Sequence, residues 1–97
     1  MARDPEEVLA RVRAIPEGFV CTYGDISPGA PRYAGTVLRA ASGHDAPWWR
    51  VVRADGSLAV GREQARLLRA EGVPFRRGRV DLDVARFPGE ALAPDRA

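Results

Sequence analysis

The chain has 97 residues, 45% of them hydrophobic, a formal net charge of +2, one Cys (Cys21), one His (His44) and no Lys. That length holds one small domain, near the lower limit at which a single core is stable without staples. A lone Cys and a lone His exclude a disulfide framework and a Cys/His zinc site, no stretch reaches the roughly 18 apolar residues of a membrane span, and Met1–Pro5 lacks the apolar run of a signal peptide. A cytoplasmic protein without cofactor or metal is expected. The basic side chains crowd the middle of the chain, from Arg32 to Arg79, while acidic residues gather at both ends. From charge alone, such a centre is a solvated surface before it is a ligand site.

Asp4-Pro5-Glu6-Glu7 is a helix start: Asp as N-cap, Pro at the first helical position, Glu reaching back from the third. Val8, Leu9, Val12 and Ile15 follow at helical spacing, and Pro16-Glu17-Gly18 stops the ladder. Phe19 to Tyr23 reads as a short extended run. Gly24 to Ser27 has room for one helical turn before the breakers Pro28-Gly29-Ala30-Pro31. A helix from Pro31 to before Gly43 should bury Ala34, Val37, Leu38 and Ala41. Arg32 sits in its first turn, against the helix dipole, at a cost of a few tenths of a kcal/mol. A residue placed against local preference is a hint of function.

His44-Asp45-Ala46-Pro47 is a loop. Trp48 to Arg53 and Leu58 to Val60 then flank Ala54-Asp55-Gly56-Ser57 as a hairpin. A helix over Arg62–Glu71 should bury Ala65, Leu67 and Leu68, with Gly72 as its C-cap. Val73-Pro74-Phe75 and Arg79 to Leu82 flank Arg76-Arg77-Gly78 as a second hairpin, and Asp83 to Phe87 has room for a last helical turn. The fold class is mainly α with short β hairpins, a winged helix-turn-helix-like arrangement. The domain should occupy residues 1–89, with a flexible tail over 90–97.

Trp48-Trp49 is the anomaly of the sequence. On an extended backbone adjacent side chains point to opposite faces, so one indole can be core while the other lines a pocket. Cys21 sits in the extended run, where a single Cys is more often a small buried hydrophobe than a reactive thiol.

Four segments carry a resemblance. Ile15-Pro16-x-Gly18-x-Val20-x-Thr22-Tyr23-Gly24-Asp25-Ile26 resembles the entry segment of the O6-alkylguanine-DNA alkyltransferase DNA-binding domain. Arg32-Tyr33-Ala34-Gly35-Thr36-Val37-Leu38 resembles the recognition helix of that family. Pro47-Trp48-Trp49-Arg50-Val51-Val52-Arg53-Ala54-Asp55-Gly56 resembles its active-site segment P-C-H-R-V-[VI], and Leu67-Leu68-x-x-Glu71-Gly72 its closing L-L-x-x-E-G. They stand in family order over residues 8 to 75. Trp48 stands where the family has its nucleophilic Cys, and Trp49 where it has the activating His. An indole is neither nucleophile nor base. The chain therefore resembles the alkyltransferase-like proteins, the non-catalytic branch with Trp in place of the Cys.

That resemblance implies a non-enzymatic DNA-damage recognition protein, a monomer that binds O6-alkylguanine in duplex DNA from the minor groove. It would flip the nucleotide and mark the lesion for nucleotide excision repair proteins. It implies a lesion pocket of Trp48, Tyr23 and, as a lid cation, Arg62. DNA contacts would come from Arg32 as an intercalating finger, Tyr23 against a phosphate, and Tyr33, Ala34, Gly35, Thr36 and Arg39 along the helix. Pro47, Arg50 and Glu71 would hold the motif, Glu71 having nothing left to activate. Only nine positions separate Tyr23 from Arg32, fewer than is usual in the family, so the helix between them is one turn or lost. Two other readings remain open: a winged-helix transcriptional regulator without lesion specificity, and residual alkyl transfer through Cys21.

Overall fold

Asp4 opens the chain's first helix as the sequence requires. In the computed structural model, which describes residues 4–41 and 46–92, the Asp4 carboxylate accepts from the Glu6 N–H and the Glu7 side chain returns to the Asp4 N–H, closing a capping box on α1 (Pro5–Arg13). Val8, Leu9, Val12 and Ile15 are buried. The chain continues through β1 (Cys21–Thr22), α2 (Tyr23–Ile26), α3 (Pro31–Ala40), a 3-10 turn over Trp48–Arg50, β2 (Val51–Val52), α4 (Gly61–Ala70), β3 (Phe75–Arg76), β4 (Arg79–Val80), α5 (Leu82–Ala85) and a 3-10 turn over Gly89–Leu92. The fold is mainly helical, with α2, the turn at 27–30 and α3 forming the helix-turn-helix.

β1 and β2 pair in parallel, Cys21 against Val51 and Thr22 against Val52. Successive strand residues face opposite ways, and here that alternation divides the core. Cys21 and Val51 look into one cluster with Val8, Val12, Ile26, Ala34 and Val37 from α1, α2 and α3. Val20 and Val52 look into the other, with Leu68, Val73, Val80 and Ala85 from α4, the hairpin and α5. The two-residue strands are therefore a partition between helical layers.

Four expectations change. Leu58–Val60 does not pair with the segment after Trp48. Arg53 and Ser57 close a tight turn, but β2 is buried on both faces by pairing with β1, and Val60 instead leads into α4, its N–H bonded to Gln64 Oε1 at 3.2 Å. The remaining hairpin, β3 with β4, is as expected, and Arg77 and Gly78 both take the positive φ (55° and 81°) that a two-residue turn requires. Tyr23 is not the end of an extended run: Thr22 and Asp25 form a second capping box, which starts a helix at Tyr23. On α4 the fully buried polar position is Gln64, with Ala65 and Leu67 only half-buried.

The C-terminal end also departs from expectation. Gly89–Leu92 forms a docked turn, Leu92 lies in the first core cluster, and the Gly89 carbonyl accepts from Arg11. The domain thus runs at least to Leu92 instead of ending at residue 89; residues 93–97, the rest of the expected tail, and residues 42–45, with His44 and Asp45 of the expected loop, lie outside the described residues. Arg11 also donates to the carbonyls of Asp25 and Ile26, so one guanidinium ties α1, α2 and the C-terminal turn together. No helix among the described residues is long and apolar enough to cross a membrane.

Candidate nucleic-acid interface

The helical spacing of α3 sorts its side chains into two faces. Ala34 and Val37 point into the core, with Tyr33, Leu38 and Ala41 packed half-buried beside them. Arg32, Thr36 and Arg39 are exposed, with Gly35 half-buried between them. This outer face forms one wall of a cleft of about 850 Å³ whose other walls are Tyr23 from α2, Trp48 from the 3-10 turn, Arg53 after β2, and Ala59 and Val60 before α4. Pro31 and Leu38 add apolar surface. Three guanidiniums and no carboxylate line this cleft. Among the described residues none of Arg32, Arg39 and Arg53 has an acidic partner, whereas Arg50, Arg66, Arg79 and Arg86 each do.

One of the expected DNA-contacting residues, Ala34, lies on the other side of α3. Ala34 has no exposed surface and cannot touch a ligand; its small size serves the packing of α3 in the core. Tyr33 packs half-buried against the same core. Arg62, the expected lid cation, sits exposed on the first turn of α4 and is not among the residues lining the cleft. Arg53 is, although the sequence reading did not single it out. Its only signal there was an Arg one step beyond a fully apolar Val-Val pair, in a segment misread as a hairpin strand.

The two indoles divide their work as expected, through a 3-10 turn instead of an extended strand. Trp48 faces the cleft, while Trp49 packs against the second core cluster. Their rings meet edge to face, with centroids 5.9 Å apart and planes at 88°. Trp49 is pinned by its Nε1–H, which donates to Glu71 Oε2 at 2.8 Å, and by the Arg50 guanidinium lying 5.5 Å from its ring centroid.

Glu71, at the end of α4, is the hub beneath them. It also accepts from Arg50 Nε at 3.0 Å, Arg50 Nη2 at 2.8 Å and the Gly18 N–H at 3.1 Å, while Arg50 Nη1 donates to the Ile15 carbonyl at 2.9 Å. Burial raises the Glu71 carboxyl, but Arg50, the Gly18 N–H and Trp49 together hold it below the ordinary carboxylate range. Glu71 thus holds the Trp-Trp-Arg turn against the loop that follows α1. Gln64 completes the hold from below, its side-chain amide donating to the carbonyls of Trp49 and Val51 at 3.0 and 2.8 Å. A polar residue one turn before Leu68, on the buried face of α4, was the available signal for it.

Among the described residues no thiol lines the cleft. Cys21 is fully buried, its Sγ–H donates to the Phe87 carbonyl, and burial, reinforced by Asp25, pushes the thiol up to about 12. Only the thiolate attacks carbon, so this side chain is inert in the folded state. The residual alkyl-transfer reading loses its nucleophile.

Residues 5–73 match the family described as "6-O-methylguanine DNA methyltransferase, DNA binding domain". The chain is 40% identical over 94 residues to a DNA base-flipping protein of Escherichia coli K12, covering 86% of this chain and 73% of that one. It is 35% identical over 77 residues to a DNA base-flipping protein of Vibrio parahaemolyticus, covering 69% and 77%. A bifunctional methyltransferase/endonuclease of Picrophilus torridus is 39% identical over an alignment of 83 residues, covering 75% of this chain and 28% of that protein. Among solved structures, S. pombe Atl1 in complex with damaged DNA containing O6-carboxymethylguanine has the same fold, with a TM-score of 0.77 at 24% identity over 90% of this chain and 98% of that one. The chain belongs to the alkyltransferase-like proteins, built on the DNA-binding domain of 6-O-methylguanine DNA methyltransferase.

Proposed function

We propose that this protein recognises O6-alkylguanine in duplex DNA, flips the damaged nucleotide into the cleft and holds it there without transferring the alkyl group. The observation that carries the reading is the cleft itself: three guanidiniums with no acidic partner among the described residues, suited to a polyanion, and an indole, Trp48, on its wall at the position that the motif resemblance aligns with the family's nucleophile. The base-flipping relatives in two bacteria and the damaged DNA bound by Atl1 support it.

In this reading the outer face of α3 enters the minor groove. Gly35 and Thr36 leave room for the sugar-phosphate walls, Arg32 fills the space that the flipped base vacates, and Trp48 offers its face to the purine and its alkyl group. Pro47, buried, fixes the entry to the Trp turn, and Arg50 and Glu71 keep that turn rigid. The protein acts as a monomer, and the held lesion becomes a mark for nucleotide excision repair proteins. A winged-helix regulator would need base-reading polar side chains along α3, and the exposed face offers only two arginines and a threonine whose hydroxyl is bonded to the Arg32 carbonyl.

The test is the affinity for a duplex with one O6-methylguanine against the matched plain duplex, at fixed salt. Tighter binding of the damaged duplex, with no methyl adduct on Cys21 by mass spectrometry, is the expected result. Equal affinities end the lesion-sensor reading, and an adduct ends the non-enzymatic one.

A further inference from the structure

We propose that Arg39 and Arg53 grip one DNA backbone phosphate between them, against the Tyr23 hydroxyl, so that this edge of the cleft is a phosphodiester site. The proposal rests on the reading above that the cleft receives DNA, and it gives Arg53 a contact.

Three separate elements bring the groups together: α2 carries Tyr23, α3 carries Arg39, and the turn after β2 carries Arg53. A methyl-sized point above Gly35 lies 3.7 Å from Arg39 Nη1 and 3.9 Å from Tyr23 Cε1, so the Arg39 guanidinium sits beside the phenol ring. The absence of a side chain at Gly35 leaves that space open. The Arg53 side chain makes a single hydrogen bond among the described residues, from Nη1 to the Leu58 carbonyl, at the long distance of 3.4 Å. Its other guanidinium N–H groups have no acceptor among the described residues, in an exposed position on the cleft wall.

Both guanidiniums also act on the Tyr23 hydroxyl. Burial raises its pKa, and Arg53 and Arg39 oppose the rise, in that order. Their charge therefore reaches the same oxygen from two elements. The phenol stays protonated at neutral pH and can donate one hydrogen bond, while each guanidinium offers a planar fork that matches two phosphate oxygens. An anion with several oxygens, bearing one negative charge and lying along an extended backbone, satisfies all three. A flipped neutral base does not need two cations on one edge.

The test uses the whole protein with plain and O6-methylguanine duplexes, titrated from about 50 to 300 mM salt. Arg53→Ala is expected to reduce the slope of log K against log salt by about one and to weaken both duplexes by the same factor. Arg53→Lys should keep the slope. Arg39→Ala should behave like Arg53→Ala, and the double variant should lose less than the sum of the two because one phosphate is shared. A single neutral methylphosphonate, moved along the strand beside the lesion, should weaken the wild type at one position and leave both alanine variants indifferent there. An unchanged salt slope for Arg53→Ala, or a loss confined to the damaged duplex, would overturn the proposal, the second by moving Arg53 onto the base. If the wild type binds both duplexes equally, the lesion reading fails while the salt slope still reports on the phosphate site.

Discussion

Trp48 and Cys21 define the chemistry of this protein at the residue scale. Under the proposed function the indole, which lines the cleft, offers contact area and a π face to the damaged base. Trp48→Ala is expected to weaken binding of an O6-methylguanine duplex by about 1–3 kcal/mol, the range for removing an aromatic stack from a base, with little change for plain duplex. Fluorescence or mobility-shift titration of the two duplexes measures it, and an equal loss on both would remove Trp48 from the lesion pocket. Cys21 is the converse case. Its burial and raised pKa predict that a thiol-specific reagent reacts at neutral pH only as the chain unfolds. The reaction rate followed across a urea titration checks this: fast labelling in native buffer would contradict the buried thiol.

At the scale of elements, the cleft's shape depends on two fasteners that carry no ligand. The Glu71 hub joins α4, the Trp turn and the loop after α1. Removing the charge with Glu71→Gln leaves Arg50 mostly buried and without its ion pair, and should cost about 2–4 kcal/mol of stability in denaturant unfolding. Trp49→Phe keeps the ring but loses the N–H bond to Glu71. It should cost about 1 kcal/mol, and a loss of lesion affinity beyond that would reveal that Trp49 positions Trp48. The second fastener is the turn at Gly56. Its φ is 84°, its carbonyl accepts from the Val80 N–H, and a Cβ there would stand 2.5 Å from the Val80 carbonyl oxygen. Gly56→Ala must therefore distort the backbone of either the turn or β4, and should lower the Tm by more than the same change at Gly72, where the space is open.

The whole molecule adds a pH dependence. Three carboxylates among the described residues have depressed pKa values in the folded state: Asp55, fully exposed and held by its hydrogen bonds with Ser57, and the more enclosed Asp25 and Glu71. At Asp25 burial raises the value, but the Arg86 side chain, the Thr22 N–H, the charge on Arg86 and the Thr22 hydroxyl outweigh it; Glu71 behaves likewise. A group whose folded value lies below its unfolded one stabilises the fold fully above the unfolded value, and the stabilisation disappears as pH falls through the folded one. With ordinary values of 3.8 and 4.5, the Tm is expected to be level at neutral pH and to fall progressively below about pH 4.5. Glu71→Gln should flatten part of that fall. The docked C-terminus also belongs to this scale: Leu92→Ala should cost about 2–5 kcal/mol, as for a core leucine, where a frayed tail would show nothing.

The sequence by itself determined what depends on near neighbours. The capping box at Asp4, the apolar stripes of α1 and α3, the Arg77-Gly78 turn and the family motif with its two indoles are all set within a few residues, by helix period, φ preference or residue type. What needed the third dimension was pairing between distant segments. β1 finds β2 across thirty residues, and two-residue strands carry too little alternation to announce a parallel partner, so a local hairpin was the natural misreading. Ala34 looked like a groove contact because small size suits both a DNA wall and a packed core, and only its zero exposure decides. Gln64 and Arg11 are polar residues whose partners lie far away in sequence, so their roles as fasteners were invisible until those partners were adjacent, and the motif named Glu71 as a holding residue without showing that Gly18 and Trp49 share it with Arg50. Arg53 became a cleft residue for the same reason: charge can be counted along a chain, but whether a cation meets a carboxylate or an open cleft is settled by how the chain folds back on itself.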